Sequence, residues 1–170
     1  MGMKAAIATT RSTGSIITTK GLLLTFLVVM LGLGGCATTK KGPGTLSPPL
    51  KRLDISSEFG SRGGRPHYGI DLTADQGTKV MSSADGKVIF AGKQRGFGKI
   101  VIIDHGGGVQ TYYAHLSRIK TSKGKKVDRG QTIGLVGKTG NASGPHLHFE
   151  VRHGGTPVDP LLQLSTLPRG

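Results

Sequence analysis

Two histidines one residue apart, His146 and His148, stand in a run of strand-forming residues directly after Gly144 and Pro145. Successive side chains of an extended strand point to opposite faces, so residues 146 and 148 share a face and lie about 7 Å apart along the chain. Two imidazoles on one face can place a metal ligand beside a group that transfers protons. An ordinary polar edge strand can carry the same pattern, so other residues are needed to distinguish a metal site from such a strand.

A second pair with metal-binding chemistry is His67 and Asp71, which are four residues apart with Gly69 between them. Gly69 favours a strand over a helix, and an extended chain places residues i and i+4 on one face. Catalytic zinc sites commonly take three ligands from His, Asp or Glu at about 2 Å and leave a fourth position for water. His67, Asp71 and one histidine of the 146/148 pair would supply this set. The helical zinc motif HExxH is absent from the sequence.

The elements that must position these residues are short apolar runs separated by glycine, which begin near residue 51. Together with 29 glycines and 8 prolines, this spacing is typical of a β-rich domain. His105 and the three glycines after it join two alternating runs and predict a hairpin. His115 lies at the end of the second run. The predicted strands cover residues 78–83, 86–92, 98–104, 109–116, 131–137 and 146–151. Since no helical period extends over twelve residues after the N-terminal region, we expect an all-β fold of mostly antiparallel sheets.

The N-terminal 35 residues have the order of a secretory signal. Residues 1–20 contain three basic residues and no acid, and the apolar run 21–35 ends in "LGGC" at Cys36, the sole cysteine. This ending resembles a bacterial lipobox, which implies a lipid on Cys36 and removal of residues 1–35. A permanent membrane helix is less favoured because the run is shorter than the roughly 20 residues that a bilayer requires. The predicted organisation is a signal (1–35), a lipidated cysteine with a proline-rich tether (36–50), one domain (51–164) and a short tail (165–170).

The chain carries a formal net charge of +14, which favours an anionic partner. Export makes nucleic acid an improbable partner, and the basic regions lack the interleaved aromatic residues of a single-strand binder. An anionic polymer of the cell envelope fits the charge better. A lone cysteine also excludes an internal disulfide.

Taken together, these segments resemble the LytM or lysostaphin-type zinc metallopeptidases of bacterial cell walls. The likeness covers residues 51–164 and includes "HYGID" at 67–71, "YYAHLS" at 112–117 and "GKTGNASGPHLHFEV" at 137–151. It implies a small, mostly antiparallel β domain with a groove across one sheet and one Zn²⁺ per domain. It also implies that the ligands are His67, Asp71 and His148, and that His115 and His146 are catalytic.

Other residues near these motifs are weaker candidates. Arg62 occupies a position that is often basic in this family and could contact substrate, but a solvated arginine explains it equally well. Tyr112 and Tyr113 alternate faces on one strand, so we expect one of them, Tyr113 being our candidate for substrate contact, to line the groove and the other to pack.

Three further polar residues have no assigned role in the family pattern. Glu150 shares a face with His148 and could orient it, although a carboxylate on the sheet surface is the preferred reading. His105 and His153 match no metal position and are expected at the surface.

The resemblance implies a lipid-anchored endopeptidase that cleaves peptidoglycan cross-links, most simply at the outer membrane. A non-catalytic activator that stimulates a separate peptidoglycan amidase is the alternative, because some domains of this type have lost the metal. A structural wall-binding lipoprotein is a third reading, but a closed structural zinc site would normally use four protein ligands. The sequence does not identify which cross-link bond is cleaved.

Overall fold

The computed structural model describes residues 42–165, apart from the Arg62 side chain. The predicted signal, Cys36 and all but the first residue of the predicted tail lie outside the described residues. The described part contains thirteen strands and one short 3₁₀ helix, Pro160–Leu162. The strands are β1 Ile55–Ser57, β2 Gly60–Arg62, β3 Arg65–His67, β4 Ile70–Thr73, β5 Lys79–Met81, β6 Gly86–Gln94, β7 Gly98–Asp104, β8 Val109–Leu116, β9 Arg118–Ile119, β10 Lys126–Val127, β11 Thr132–Leu135, β12 His146–His153 and β13 Thr156–Val158.

One large antiparallel sheet dominates the fold and has the strand order β1-β4-β12-β8-β7-β6-β10, with β13 paired to β12. A three-stranded sheet, β5-β11-β9, and the hairpin β2-β3 complete the architecture. Every strand pair is antiparallel, which confirms the predicted fold class. No helix among residues 42–165 is long and apolar enough to cross a membrane.

The predicted hairpin at His105 joins β7 to β8. Its three glycines have φ values of 81°, 58° and 79°, a left-handed region that residues with a Cβ rarely enter. The backbone N–H of His105 donates to the carbonyl of Val109 at 2.9 Å and closes the turn.

The main core lies on one face of the large sheet. Leu147, Phe149 and Val151 of β12 are fully buried in it. Burial of side chains of this size contributes about 1.5–3 kcal/mol each, so the core fixes which face of β12 points inward. His146 and His148 therefore occupy the opposite face, as the alternating pattern predicts. The same cluster contains Val80 of β5 and Ile133 of β11 and so joins the two larger sheets.

The folded part begins before residue 51, because the last residues of the predicted tether are docked. Leu46 and Leu50 are each 2% exposed and belong to the main core. Leu46 also pairs with Leu164 in a parallel bridge, and its N–H donates to the Gln163 carbonyl at 3.0 Å. The proline-rich composition suggested a tether up to residue 50, but two leucines bury enough apolar surface to attach its end to the domain.

Candidate metal centre and groove

Three side chains form a compact cluster of potential metal ligands. His67 Nε2 lies 3.2 Å from Asp71 Oδ1 and 3.2 Å from His148 Nδ1, and the last two atoms are 2.8 Å apart. In a tetrahedral zinc site with bonds of about 2.0–2.1 Å, two ligand atoms lie about 3.3 Å apart. The two nitrogens and one carboxylate oxygen therefore have nearly the spacing of one face of such a tetrahedron, and they could hold a metal ion. A metal ion held by these three residues would have a fourth position for water.

His67 and Asp71 reach this cluster from two different strands and not, as predicted, from one extended segment. His67 ends β3, Asp71 lies in β4, and the chain bends between them at Gly69. A Cβ on Gly69 would collide with the carbonyl oxygen of Phe149, so this glycine lets the bend pack against β12. Asp71 is paired directly with His148 across β4 and β12.

The imidazoles of His67 and His148 are held by hydrogen bonds that fix their tautomers. His67 Nδ1 lies 2.6 Å from the Glu58 carbonyl oxygen, and His148 Nε2 lies 3.0 Å from Glu150 Oε1. Both partners accept hydrogen bonds, so these nitrogens carry the protons. His67 Nε2 and His148 Nδ1 are consequently the ring atoms that face the cluster, where a metal ion would take the place of the proton that His148 Nδ1 shares with Asp71.

Glu150 is a buried residue and not the preferred sheet-surface carboxylate. It is 1% exposed. Arg152 donates to its Oε2 from Nε at 2.7 Å, and Arg152 Nη2 lies 2.6 Å from the same oxygen. The Arg152 guanidinium also lies over the Tyr112 ring, 4.3 Å from its centroid. This support holds the Glu150 carboxylate against His148, a role that the sequence pattern admitted but did not favour.

Tyr113 does not line the groove, contrary to the candidate role in substrate contact. It is 0% exposed and packs against Phe149 in the core. Its hydroxyl accepts from the Ser83 N–H at 2.8 Å. Tyr112 faces the other way but contacts Arg152 and also does not line the groove. The Arg62 side chain lies outside the described residues.

His115 owes its position to an irregularity in β8. The strand pairs Val101 with Tyr113 but Lys99 with Leu116, so β8 contains one extra residue at a bulge. His115 lies at this bulge with φ of 61°, the only positive φ among the described non-glycine residues. In a regular strand His115 would share the core face of Tyr113. The bulge instead turns its side chain towards His146, with 4.7 Å between ring centroids.

Two backbone segments hold His115 in this conformation. Its N–H donates to the Phe97 carbonyl at 2.9 Å, and its Nδ1–H donates to the Thr139 carbonyl at 2.8 Å. The segments pack closely through Gly98 and Gly140, since a Cβ on either glycine would collide with backbone of the other segment. No motif in the sequence revealed these two contacts.

His146 is oriented by the turn that precedes β12. Its Nδ1–H donates to the Gly144 carbonyl at 2.9 Å, and its Nε2 lies 3.8 Å from Asp71 Oδ1. His115 and His146 thus both use Nδ1 to bind a carbonyl, which leaves the Nε2 lone pair of each available next to the cluster. The structure brings all five predicted site residues together.

The electrostatics of the site separate an anionic aspartate from a neutral histidine. Burial opposes ionisation of Asp71, but the hydrogen bond and charge of His148 outweigh it, so the pKa of Asp71 lies well below its usual value. Burial also lowers the pKa of His148, yet hydrogen bonds with Asp71 and Glu150 raise it overall. Burial is the largest cause that lowers the pKa of His115 from 6.5 to about 4, so this imidazole is neutral at pH 7.

The cluster lies in an open groove of about 770 Å³, which we call the metal groove. The two remaining histidines lie elsewhere. His153 is exposed, as predicted, whereas His105 is 8% exposed and its predicted surface position is wrong. His105 is buried because both of its nitrogens find partners, the Asp85 carbonyl at 2.8 Å and the Thr111 hydroxyl at 2.7 Å. The lining of the metal groove includes His67, Tyr68, Asp71, Phe97, His115, Asn141, Ser143, Pro145, His146, His148 and Glu150.

Comparisons with known proteins identify relatives that share these segments. The chain is 48% identical over 119 residues to the DD-carboxypeptidase/endopeptidase Mpg of Neisseria meningitidis serogroup B, which covers 66% of this chain and 27% of Mpg. It is 38% identical over 97 residues to the uncharacterized lipoprotein YgeR of Escherichia coli K12, covering 56% of this chain and 38% of YgeR. A solved zinc-containing peptidase from Vibrio cholerae matches with a TM-score of 0.66 and 38% identity, over 75% of this chain and 41% of that chain.

The sequence model of peptidase family M23 matches residues 65–160. This range exceeds half of the chain and contains the three potential ligands together with both neighbouring imidazoles. The LytM-type resemblance is thus confirmed, and the chain belongs to peptidase family M23.

Proposed function

We propose that the chain is a zinc-dependent endopeptidase that hydrolyses the peptide cross-links of bacterial peptidoglycan. The observation that carries the proposal is the cluster of His67, Asp71 and His148 with two further imidazoles beside it. A purely structural site would need a fourth protein ligand, whereas this cluster leaves one corner open to the groove. The segment matched in Mpg is about a quarter of that protein. The endopeptidase activity in the name of Mpg therefore supports the proposal for this chain without establishing it.

The donor set fits Zn²⁺, and His67, Asp71 and His148 would hold it. Bound zinc would lower the pKa of a coordinated water and polarise the scissile carbonyl. Asp71 supplies the anionic ligand, because its pKa is held low enough to keep it ionised at neutral pH. The hydrogen bonds to His67 Nδ1 and His148 Nε2 already hold both rings with their other nitrogens towards the cluster, so little rotation of the rings would be needed on binding.

His115 and His146 would be the groups that move protons. Each Nδ1 is occupied by a carbonyl, so only Nε2 can exchange a proton in the groove. The lowered pKa of His115 makes it a neutral acceptor at pH 7 and a strong proton donor once protonated. One imidazole would take the proton of the attacking water and return it to the leaving amine, while the other, protonated at Nε2, would donate a hydrogen bond to the developing oxyanion.

The cellular setting is part of the same proposal. Lipidation at Cys36 would hold the enzyme at the membrane, and the absence of Asp at position 37 favours the outer membrane. YgeR is named a lipoprotein, which supports an envelope location for this chain. Peptidoglycan is the expected partner, and an interacting cell-wall hydrolase would become the main partner under the activator alternative. The DD activity in the name of Mpg favours a bond between two D-centres as the target.

The test is incubation of the full-length protein, in detergent and with zinc, with purified peptidoglycan, followed by detection of new amines. We expect release that a chelator abolishes. His148→Ala should lose zinc and activity together, whereas His115→Ala should keep zinc and lose about 10²–10⁴-fold in turnover. His153→Ala, an exposed histidine, is the matched control.

The activator alternative predicts a different outcome of the same assay. Zinc-loaded protein that releases no amines but stimulates a separate amidase would reject the enzyme proposal. Mass spectrometry of products from defined muropeptides would identify the bond.

A further inference from the structure

A second groove of about 680 Å³ lies at the end of the β6–β7 hairpin. We call it the basic groove. Among the residues that the structure describes, three cationic residues and no carboxylate contribute to its lining, whereas Asp71 and Glu150 line the metal groove. Its principal lining residues are Lys93, Arg95, Gly96, Lys99, Thr139 and Gly140.

Two of these cations lie at positions where their mutual repulsion lowers the stability of the fold. Lys93 of β6 and Lys99 of β7 are direct cross-strand partners, and like charges in this position destabilise a sheet. Further along the same two strands, Lys87 is paired with Asp104, which is the favourable arrangement. An anion between the two lysines would turn this local repulsion into attraction.

The three cations also retain hydrogen-bonding capacity. Lys99 Nζ donates to the Ser117 carbonyl at 2.5 Å, which fixes one of its three protons and leaves two. Within residues 42–165, no ion pair involves Lys93 or Arg95. A bound carboxylate could therefore accept from an ammonium and from the planar guanidinium together.

The basic groove adjoins the metal groove. Gly96 lines both, and the loop that contributes Thr139 and Gly140 to the basic groove contributes Asn141 to the metal groove. The Asn141 N–H donates to the Gly96 carbonyl at 2.9 Å and joins the two segments that separate the grooves. This shared wall also holds His115 through Thr139, so a ligand that spans it would pass next to the proposed catalytic groups.

We propose that the basic groove binds a carboxylate of the cross-linked peptide whose scissile bond lies at the metal centre. The inference rests on the proposed function, since peptidoglycan stems carry free carboxylates close to their cross-links. Lys93 and Arg95 would be specificity-determining residues, and Lys99 would form the more fixed inner side of the groove. Charge-assisted hydrogen bonds to two or three cations should favour an acid over its amide about tenfold.

Binding is tested first, because it does not depend on cleavage. The probes are a stem tetrapeptide with free carboxylates and the same peptide with these groups amidated. Calorimetry measures their affinities for the zinc-supplemented full-length protein in detergent. We expect the wild-type protein to bind the acid about tenfold more tightly, and the Lys93→Gln/Arg95→Gln variant to bind both peptides equally. Lys87→Gln, which removes one positive charge elsewhere on β6, should retain the preference for the acid.

Cleavage of cross-linked muropeptides in acid and amide form is then compared for the same three proteins. Loss of the acid preference in kcat/KM for the double variant, with the preference retained by Lys87→Gln, supports the proposal. An equal preference in wild-type and double variant overturns it while the endopeptidase function stands. Conversely, absence of cleavage with a persistent, Lys93- and Arg95-dependent binding preference would reject the function and retain the carboxylate site.

Discussion

Replacement of Glu150 by Gln should disturb zinc binding by changing the tautomer of His148. The buried carboxylate accepts from His148 Nε2 on one oxygen, while two nitrogens of Arg152 surround the other. A glutamine has a single oxygen, and Arg152 can only donate. The amide oxygen should therefore face Arg152 and the amide NH₂ should face His148 Nε2.

This arrangement favours protonation of His148 at Nδ1, the atom that belongs to the donor cluster. Changes to groups that orient histidine ligands typically weaken metal affinity 10–100-fold, which corresponds to about 1.4–2.7 kcal/mol. We expect this range for Glu150→Gln, with zinc affinity measured by competition against a chromophoric chelator at constant pH.

The matched control is Asp54→Asn, which also neutralises a carboxylate but one that is 58% exposed and 3.6 Å from Arg52. It should leave zinc affinity unchanged. Thermal unfolding of both variants separates loss of affinity from loss of fold. If Glu150→Gln were to bind zinc within twofold of the wild-type protein, the proposed control of the tautomer would be wrong.

Two further predictions concern the surroundings of the site. Gly140→Ala should cut turnover at least tenfold while zinc affinity persists, because a Cβ would displace the loop whose Thr139 carbonyl holds His115. The control is Gly154→Ala, which is also at positive φ but has open space around it. It should retain turnover and lose only about 1 kcal/mol of unfolding free energy in urea, through backbone strain. Burial lowers the pKa of folded His105 below its unfolded value of about 6.5, so its contribution to stability is present above that unfolded pKa and declines as the pH falls below it. The free energy of unfolding of metal-free His105→Gln, relative to wild type, should therefore rise by up to about 1 kcal/mol between pH 6.5 and 5.5, and parallel curves for the two proteins would contradict this assignment.

The sequence predicted those parts of the fold whose signal is local and repeated. The runs 98–104 and 109–116 coincide with β7 and β8, and the alternation at 146–151 correctly placed two histidines on one face of β12. Five strands of two or three residues, β1, β2, β9, β10 and β13, were missed because they are too short to show a period. His67 and Asp71 were correctly paired, although the bend at Gly69 and not a continuous strand brings them together.

The supporting contacts of the site were harder to predict because they depend on distant residues. His115 and Tyr113 are two residues apart, so a regular strand would place both side chains on one face. Only the bulge, where His115 has a φ of 61°, sends them to opposite faces. Positive φ is uncommon for residues other than glycine, and no neighbouring residue indicates it. Glu150 was visible on the correct face, but its burial depends on Arg152, two residues further along.

The docking of Leu46 restricts where an anchored form of this protein could act. With a lipid on Cys36, only nine residues, 37–45, would separate the anchor from Leu46, the first buried side chain within residues 42–165. A chain of that length extends at most about 30 Å. From an anchor in the outer membrane, the domain would then reach only the wall material nearest that membrane, and under the proposed function material at greater depth would escape hydrolysis.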